Sequence, residues 1–145
     1  MKPLKNLLLP SLLLLMAFAL AGCMQNAEAG SGYTDISNSE LKDLLNKGVT
    51  LIDIRRPEEW KQTGVIKGSH KITLFNRSGR IQPDFQQKFE AVTDPEKPVI
   101  LICRTGNRTA VASKLITEQL GYKKIYNVKR GITDWIRHNN PVVRN

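Results

Sequence analysis

Residues 98–109 read PVILICRTGNRT. The run Pro98–Ile102 is short, apolar and rich in β-branched side chains, the composition of a strand buried on both faces. It passes directly into Cys103 and then into a polar loop holding one glycine, Gly106. From Arg108 onward, Ala112, Leu115, Ile116 and Leu120 recur at helical spacing, and Gly121 ends the helix. A buried strand turning through a short loop into a helix is half of a βαβ unit. In sheets built from such units, binding sites lie beyond the carboxyl ends of the strands, which is where Cys103 stands.

The same pattern extends in both directions. Ser37 and Glu40 form a capping box ahead of Leu41, Leu44 and Leu45, and Gly48 stops that helix. Val49–Ile54 reads as a second buried strand, and Pro57–Gln62 as a short helix with proline in its first turn. His70–Leu74 is a weaker strand, Asn76–Gly79 a polar loop, and Pro83–Val92 a helix carrying Phe85, Phe89 and Val92 inward. Ile125–Val128 is a last strand and Ile132–His138 a last helix, with Ile132, Trp135 and Ile136 inward. Strands alternating with helices predict a small α/β sandwich with right-handed parallel crossovers. There is no internal repeat and no low-complexity segment.

At 145 residues the chain allows one domain. Its 41% hydrophobic content is inflated by Leu7–Ala21, a run without charge that follows Lys2 and Lys5. The run is shorter than the ~20 residues of a membrane span, and Pro10 interrupts it. Basic start, apolar stretch and small residues at the end describe a secretory signal. Leu20-Ala21-Gly22-Cys23 resembles the bacterial lipoprotein box, in which the cysteine receives a diacylglyceryl group and cleavage occurs before it. The expected organisation is a signal over 1–22, a lipidated flexible tether over 23–32 and one domain over 33–145. Two acyl chains on Cys23 give stable membrane anchoring. The expected location is the bacterial cell envelope, facing the periplasm. Met24 in place of aspartate favours the outer membrane if the source is Gram-negative.

Two cysteines exclude a disulfide-rich scaffold and a four-cysteine zinc site. With Cys23 committed to lipid, Cys103 has no intramolecular partner. Around it, backbone N–H groups of Arg104, Thr105, Gly106, Asn107 and Arg108 can turn inward toward an anion. The helix N-terminus and two guanidinium groups add positive charge, which favours thiolate over thiol and holds an anionic substrate. A structural core cysteine is the alternative. Two arginines, with no acidic residue between Ile102 and Thr117, favour the reactive reading. Arg104 ranks above Arg108 for substrate contact, since Arg108 falls on the first helical turn.

Other polar positions have structural readings. Asp53 ends a strand and can satisfy backbone N–H groups, while Arg55 and Glu59, four apart, can pair and support the site. Trp60 and Trp135 read as core. His70 and His138 have no metal-ligand spacing, so neither metal nor cofactor is expected. Lys2 and Lys5 leave with the signal, lowering the net charge from +9 to +7. Arg77, Arg80, Lys123, Lys124, Lys129 and Arg130 are scattered as on a solvated face that attracts small anions or lipid headgroups, and nucleic acid is not an expected partner.

These residues resemble a known family. Cys103 to Arg108 has the spacing C-x4-R and looks like the active-site loop of single-domain rhodanese sulfurtransferases. Asp53-Ile54-Arg55-Arg56-Pro57-Glu58-Glu59-Trp60 resembles the family's D-[VI]-R-x-x-x-E-[aromatic] signature. Gly64–Ser69 resembles its G-H-I-x-G-A segment, with Val65 where histidine is usual, and Gly131–Trp135 its G-x-x-x-W. The resemblance implies a three-layer fold with a central, mostly parallel five-stranded sheet flanked by helices. It implies catalysis by Cys103, which takes a sulfane sulfur from a small anionic donor such as thiosulfate. Cys103 then passes that sulfur as a persulfide to a thiophilic acceptor, with an unidentified protein acceptor as a further possible partner. Alternatives are a non-turnover persulfide or polysulfide carrier serving a membrane partner, and a phosphatase or arsenate reductase on the same fold. The phosphatases carry C-x5-R, one residue longer than this loop. A thiol redox module would need a resolving cysteine.

Overall fold

The computed structural model describes residues 32–144. The signal expected over 1–22 and the lipidation position Cys23 lie outside the described residues. Five strands, β1 (Tyr33–Ile36), β2 (Thr50–Asp53), β3 (His70–Lys71), β4 (Val99–Ile102) and β5 (Ile125–Val128), form one sheet ordered β1-β5-β4-β2-β3. Helices α1 (Asn38–Asn46), α2 (Pro57–Thr63), α3 (Phe85–Glu90), α4 (Asn107–Leu120) and α5 (Gly131–Arg137) complete the described elements. Every strand pairing is parallel, so the sheet is fully rather than mostly parallel. All strand carboxyl ends therefore meet at one pole of the domain.

Period-two alternation sorts the strand side chains into two cores. Ile52, Val99, Leu101 and Ile125 pack with Phe85, Phe89, Ala112, Ile116 and Tyr122. On the other face Leu51, Ile100, Ile102 and Val128 pack with Leu41, Ile132 and Trp135. Strand β4 is buried along its whole length because it lies between β2 and β5 with helices on both faces. That position explains its unbroken apolar run.

The capping box forms: the Glu40 N–H donates to Ser37 Oγ at 3.3 Å, and the Ser37 N–H to Glu40 Oε2 at 2.8 Å. The Ser37 backbone N–H holds the Glu40 carboxyl below its ordinary range. The tail is tied back by paired backbone bonds between Val65 and Val143 and by the Trp135 indole N–H on Pro141 O at 2.9 Å. Val65, the departure from the family pattern, is buried in that contact.

Several boundaries differ from the periodic reading. Strand β1 has no apolar run to announce it, because it is an edge strand that buries only Ile36. The β3 ladder stops at Lys71, although Ile72 and Leu74 still donate to Asp53 O and Ile54 O. The third helix is trimmed to Phe85–Glu90. Ile136, expected inward, is 37% exposed, while Ile132 and Trp135 of the same helix are buried. Trp60 is half-buried, with the Lys71 ammonium 5.9 Å from its ring centroid.

Candidate active site

Cys103 follows β4 at the pole where the strands end, and it is 0% exposed. Among the described residues, two groups reach its sulfur. The Gly106 N–H donates to Sγ at 3.2 Å, and Thr109 Oγ1 lies 3.4 Å away. Of the backbone donors expected from 104–108, Gly106 is the one that reaches the sulfur among the described residues. Arg104, Thr105 and Asn107 are exposed on the outer side of the loop, and Arg108 is half-buried. Thr109 was not among the residues expected from the sequence. Its position one residue past the C-x4-R spacing hid it, and its hydroxyl in the first helical turn was the available signal.

The loop is held by two close backbone approaches. Gly106 has φ 92°, and a Cβ there would sit 2.0 Å from Lys129 O. A Cβ on Gly131 would sit 2.5 Å from the Arg104 carbonyl. Only glycine admits these contacts. The first two N–H groups of α5 after Gly131 use that proximity: Ile132 donates to Cys103 O at 2.9 Å and Thr133 to Arg104 O at 3.1 Å. The loop carbonyls thus point into α5, leaving the Gly106 N–H free for the sulfur.

Below the loop, Asp53 pairs with Ile102 across the β2–β4 register. Its carboxylate receives the Arg55 Nε at 2.9 Å and Nη2 at 2.7 Å, as well as the Arg55 backbone N–H at 3.1 Å. Arg55 is 1% exposed and spends its remaining donors on Thr63 Oγ1 and Gly64 O, at the end of α2. The expected Arg55–Glu59 ion pair does not form. Arg55 meets only the Glu59 backbone carbonyl, at 3.4 Å. Asp53 lies closer along the strand and satisfies the guanidinium in a bidentate fork.

Glu59 instead crosses to α4. Arg108 donates to it twice, Nη1 to Oε2 at 2.8 Å and Nη2 to Oε1 at 2.6 Å. Burial alone would raise the Glu59 carboxyl. The Arg108 hydrogen bonds, the Arg56 N–H and the two guanidinium charges outweigh it and lower the pKa to about 2. Arg108 is raised in turn, chiefly by the Glu59 hydrogen bond. Arg56 lies 3.0 Å from Glu58. Arg104 makes no ion pair among the described residues, and it lines a cleft of about 440 Å³ with Arg56, Glu59, Thr133 and Ile136.

The fold and site together define a cysteine-centred α/β domain whose thiol ends a central parallel strand under an arginine-bearing loop. The rhodanese-like domain model matches residues 37–138, and the chain belongs to that family. The thiosulfate sulfurtransferase GlpE of Actinobacillus pleuropneumoniae is 30% identical, with 76% of this chain and 93% of that one covered. The polysulfide-sulfur transferase homodimer of Wolinella succinogenes superposes with a TM-score of 0.62 at 29% identity, covering 79% of this chain and 81% of that one. Reduced CoADR-RHD of Bacillus anthracis also gives a TM-score of 0.62 at 29% identity. There the match covers 77% of this chain and 18% of that larger one.

The Glu59–Arg108 pair sets an acid dependence. A carboxyl that titrates near 2 when folded and at an ordinary 4.5 when unfolded binds fewer protons in the folded state between those values. Its contribution is complete above about pH 5 and is lost as pH falls toward 2. The pair is partly exposed, so about 2 kcal/mol is expected. Glu59→Gln should lower urea-measured stability by that amount at neutral pH. It should also flatten the decline between about pH 5 and pH 2 relative to the wild type.

Proposed function

We propose that the protein is a sulfurtransferase that carries sulfur as a persulfide on Cys103. The observation that carries this reading is the buried Cys103 thiol at the strand end, with the Gly106 N–H aimed at its sulfur and the adjacent Arg104 exposed and without an ion pair among the described residues. The Cys103 thiolate attacks the outer sulfur of a donor such as thiosulfate. The new S–S bond forms as the sulfur–sulfite bond breaks, and sulfite leaves with the electron pair. A thiophilic acceptor then attacks the outer sulfur of the persulfide, and the Cys103 thiolate is the leaving group. Cyanide as acceptor leaves as thiocyanate. Neither step needs a metal or an external oxidant, and sulfite leaves without general-acid help. Similarity to a thiosulfate sulfurtransferase and to a polysulfide-sulfur transferase supports small sulfane-sulfur donors of this kind.

Charge balance supports Arg104 as the donor's contact. Arg55 is matched by Asp53, Arg56 by Glu58 and Arg108 by Glu59. An entering anion therefore meets Arg104 as the uncompensated cation of the loop, while Arg108 holds the loop to α2. The alternative of a carrier that hands sulfur to a membrane partner uses the same cysteine and differs only in turnover.

The reading includes export as a lipoprotein anchored through Cys23. Strand β1 begins at Tyr33, and in an all-parallel sheet that start lies at the pole opposite Cys103. The segment from 24 to 32 reaches at most ~30 Å. An anchor entering there would join the domain at the pole opposite Cys103.

Four outcomes are expected. Incubation with thiosulfate should add about 32 daltons to the wild type and nothing to Cys103→Ser. Thiocyanate formation should vanish with the same substitution, whereas an adduct without turnover would favour the carrier. Arg104→Ala should raise the KM for thiosulfate about tenfold, with the effect fading at high ionic strength. Cys23→Ser should release the protein from membranes or block its processing, and unchanged retention would contradict the anchor.

A further inference from the structure

We propose that Thr109 is a catalytic residue whose hydroxyl switches between the Gly106 carbonyl and the Cys103 sulfur as that sulfur gains and loses charge. The proposal rests on the persulfide reading and deepens it.

Thr109 is fully buried, and its Oγ1 lies 3.0 Å from Gly106 O and 3.4 Å from Cys103 Sγ. A threonine hydroxyl has one proton to donate and lone pairs to accept. Those two neighbours therefore compete for a single proton, and the charge on sulfur decides the competition. With Cys103 as a thiol, S–H donates to Thr109 Oγ1 and the hydroxyl donates to Gly106 O. With Cys103 as a thiolate, the sulfur has no proton left. The hydroxyl then rotates to donate to it, because a bond to a charged acceptor is about twice as strong as a neutral one.

The rotation leaves nothing buried without a partner. Gly106 O keeps the Ala110 N–H, which donates to it at 2.9 Å. The sulfur keeps the Gly106 N–H throughout. Gly106 thus presents its N–H to the sulfur and its carbonyl to the hydroxyl that serves the sulfur. The left-handed φ of 92° at the start of α4 lets one residue do both.

The switch acts at a defined step. In the persulfide the charge sits on the outer sulfur, beyond Sγ, and the hydroxyl returns to Gly106 O. When an acceptor takes the outer sulfur, the electron pair of the broken S–S bond returns to Cys103 Sγ. The Thr109 O–H then turns to meet it. Thr109 therefore stabilises the leaving thiolate of the second half-reaction, and a better-stabilised thiolate leaves faster.

The experiment compares the full chain with Thr109→Val, Thr109→Ala and Thr109→Ser. Thiolate absorbance at 240 nm is followed against pH, and single-turnover discharge of preformed persulfide is timed with cyanide. The charged groups around the sulfur are the same in all four proteins: Arg104 in the loop, Arg108 of α4 against Glu59 of α2, and the Asp53–Arg55 pair after β2. Below the titration midpoint, Thr109→Val and Thr109→Ala should each hold about tenfold less thiolate, the loss of one bond to a charged sulfur. Both should discharge several-fold more slowly, and Thr109→Ser should restore both properties to within about twofold. Titration and discharge like the wild type in the alanine variant overturn the proposal. So does equal impairment of the serine variant, which would assign Thr109 to packing. The titration needs no sulfur donor, so it tests Thr109 even if the wild type forms no persulfide and the sulfurtransferase reading falls.

Discussion

The buried Asp53–Arg55 ion pair organises the pole that carries Cys103. Arg55 has no water to solvate it, and its guanidinium is satisfied only by a set of partners drawn from β2 and the end of α2. Losing one member of such a pair leaves a bare charge in the core, at a typical cost of about 3–5 kcal/mol. The pair therefore locks α2 against the end of β2. That lock sets the position of Glu59, and Glu59 then holds Arg108 on the first turn of α4. The loop carrying Cys103 is suspended between that helix and the N–H groups of α5. A chain of charge-assisted bonds thus links a strand end to the geometry of a thiol it never touches.

The same bonds decide which charge is available to a substrate. Counted by residue type, the loop region is strongly cationic. Counted by partner among the described residues, most of that charge is consumed: three arginines are matched by carboxylates and Arg104 is not. Compensated arginines serve as struts, and an uncompensated one at a cleft mouth attracts anions. This division lets a basic loop stay rigid while one guanidinium remains open to an anion. The dry environment of the sulfur strengthens the two hydrogen bonds that reach it.

Much of the architecture was legible because it follows from period and punctuation. The run at 98–102 reads as a strand buried on both faces, and Val99–Ile102 is one. The capping box at Ser37 and Glu40 and the glycines closing α1 and α4 marked helix ends through local backbone chemistry alone. Where burial is one-sided the signal failed. Strand β1 is held at the sheet edge by backbone pairing with β5, and its polar residues carry no apolar pattern. Ile136 fits a helical period yet ends exposed at the cleft, because no described residue covers that side of α5.

The sequence by itself determined the order of the elements other than β1, the parallel class through their alternation, and the placement of Cys103 at a strand end, since each is marked by local period and punctuation. Tertiary structure alone decided the partnerships. Glu59 and Arg108 are 49 residues apart, and no spacing rule pairs them. The choice of Asp53 over Glu59 as the partner of Arg55 depended on which carboxylate the folded β2 end leaves within reach. The hydroxyl of Thr109 meets the sulfur because Gly106 bends the chain back by a left-handed residue before α4 begins. Contacts of this kind follow from how elements pack, and packing is a property of the whole chain rather than of any stretch of it.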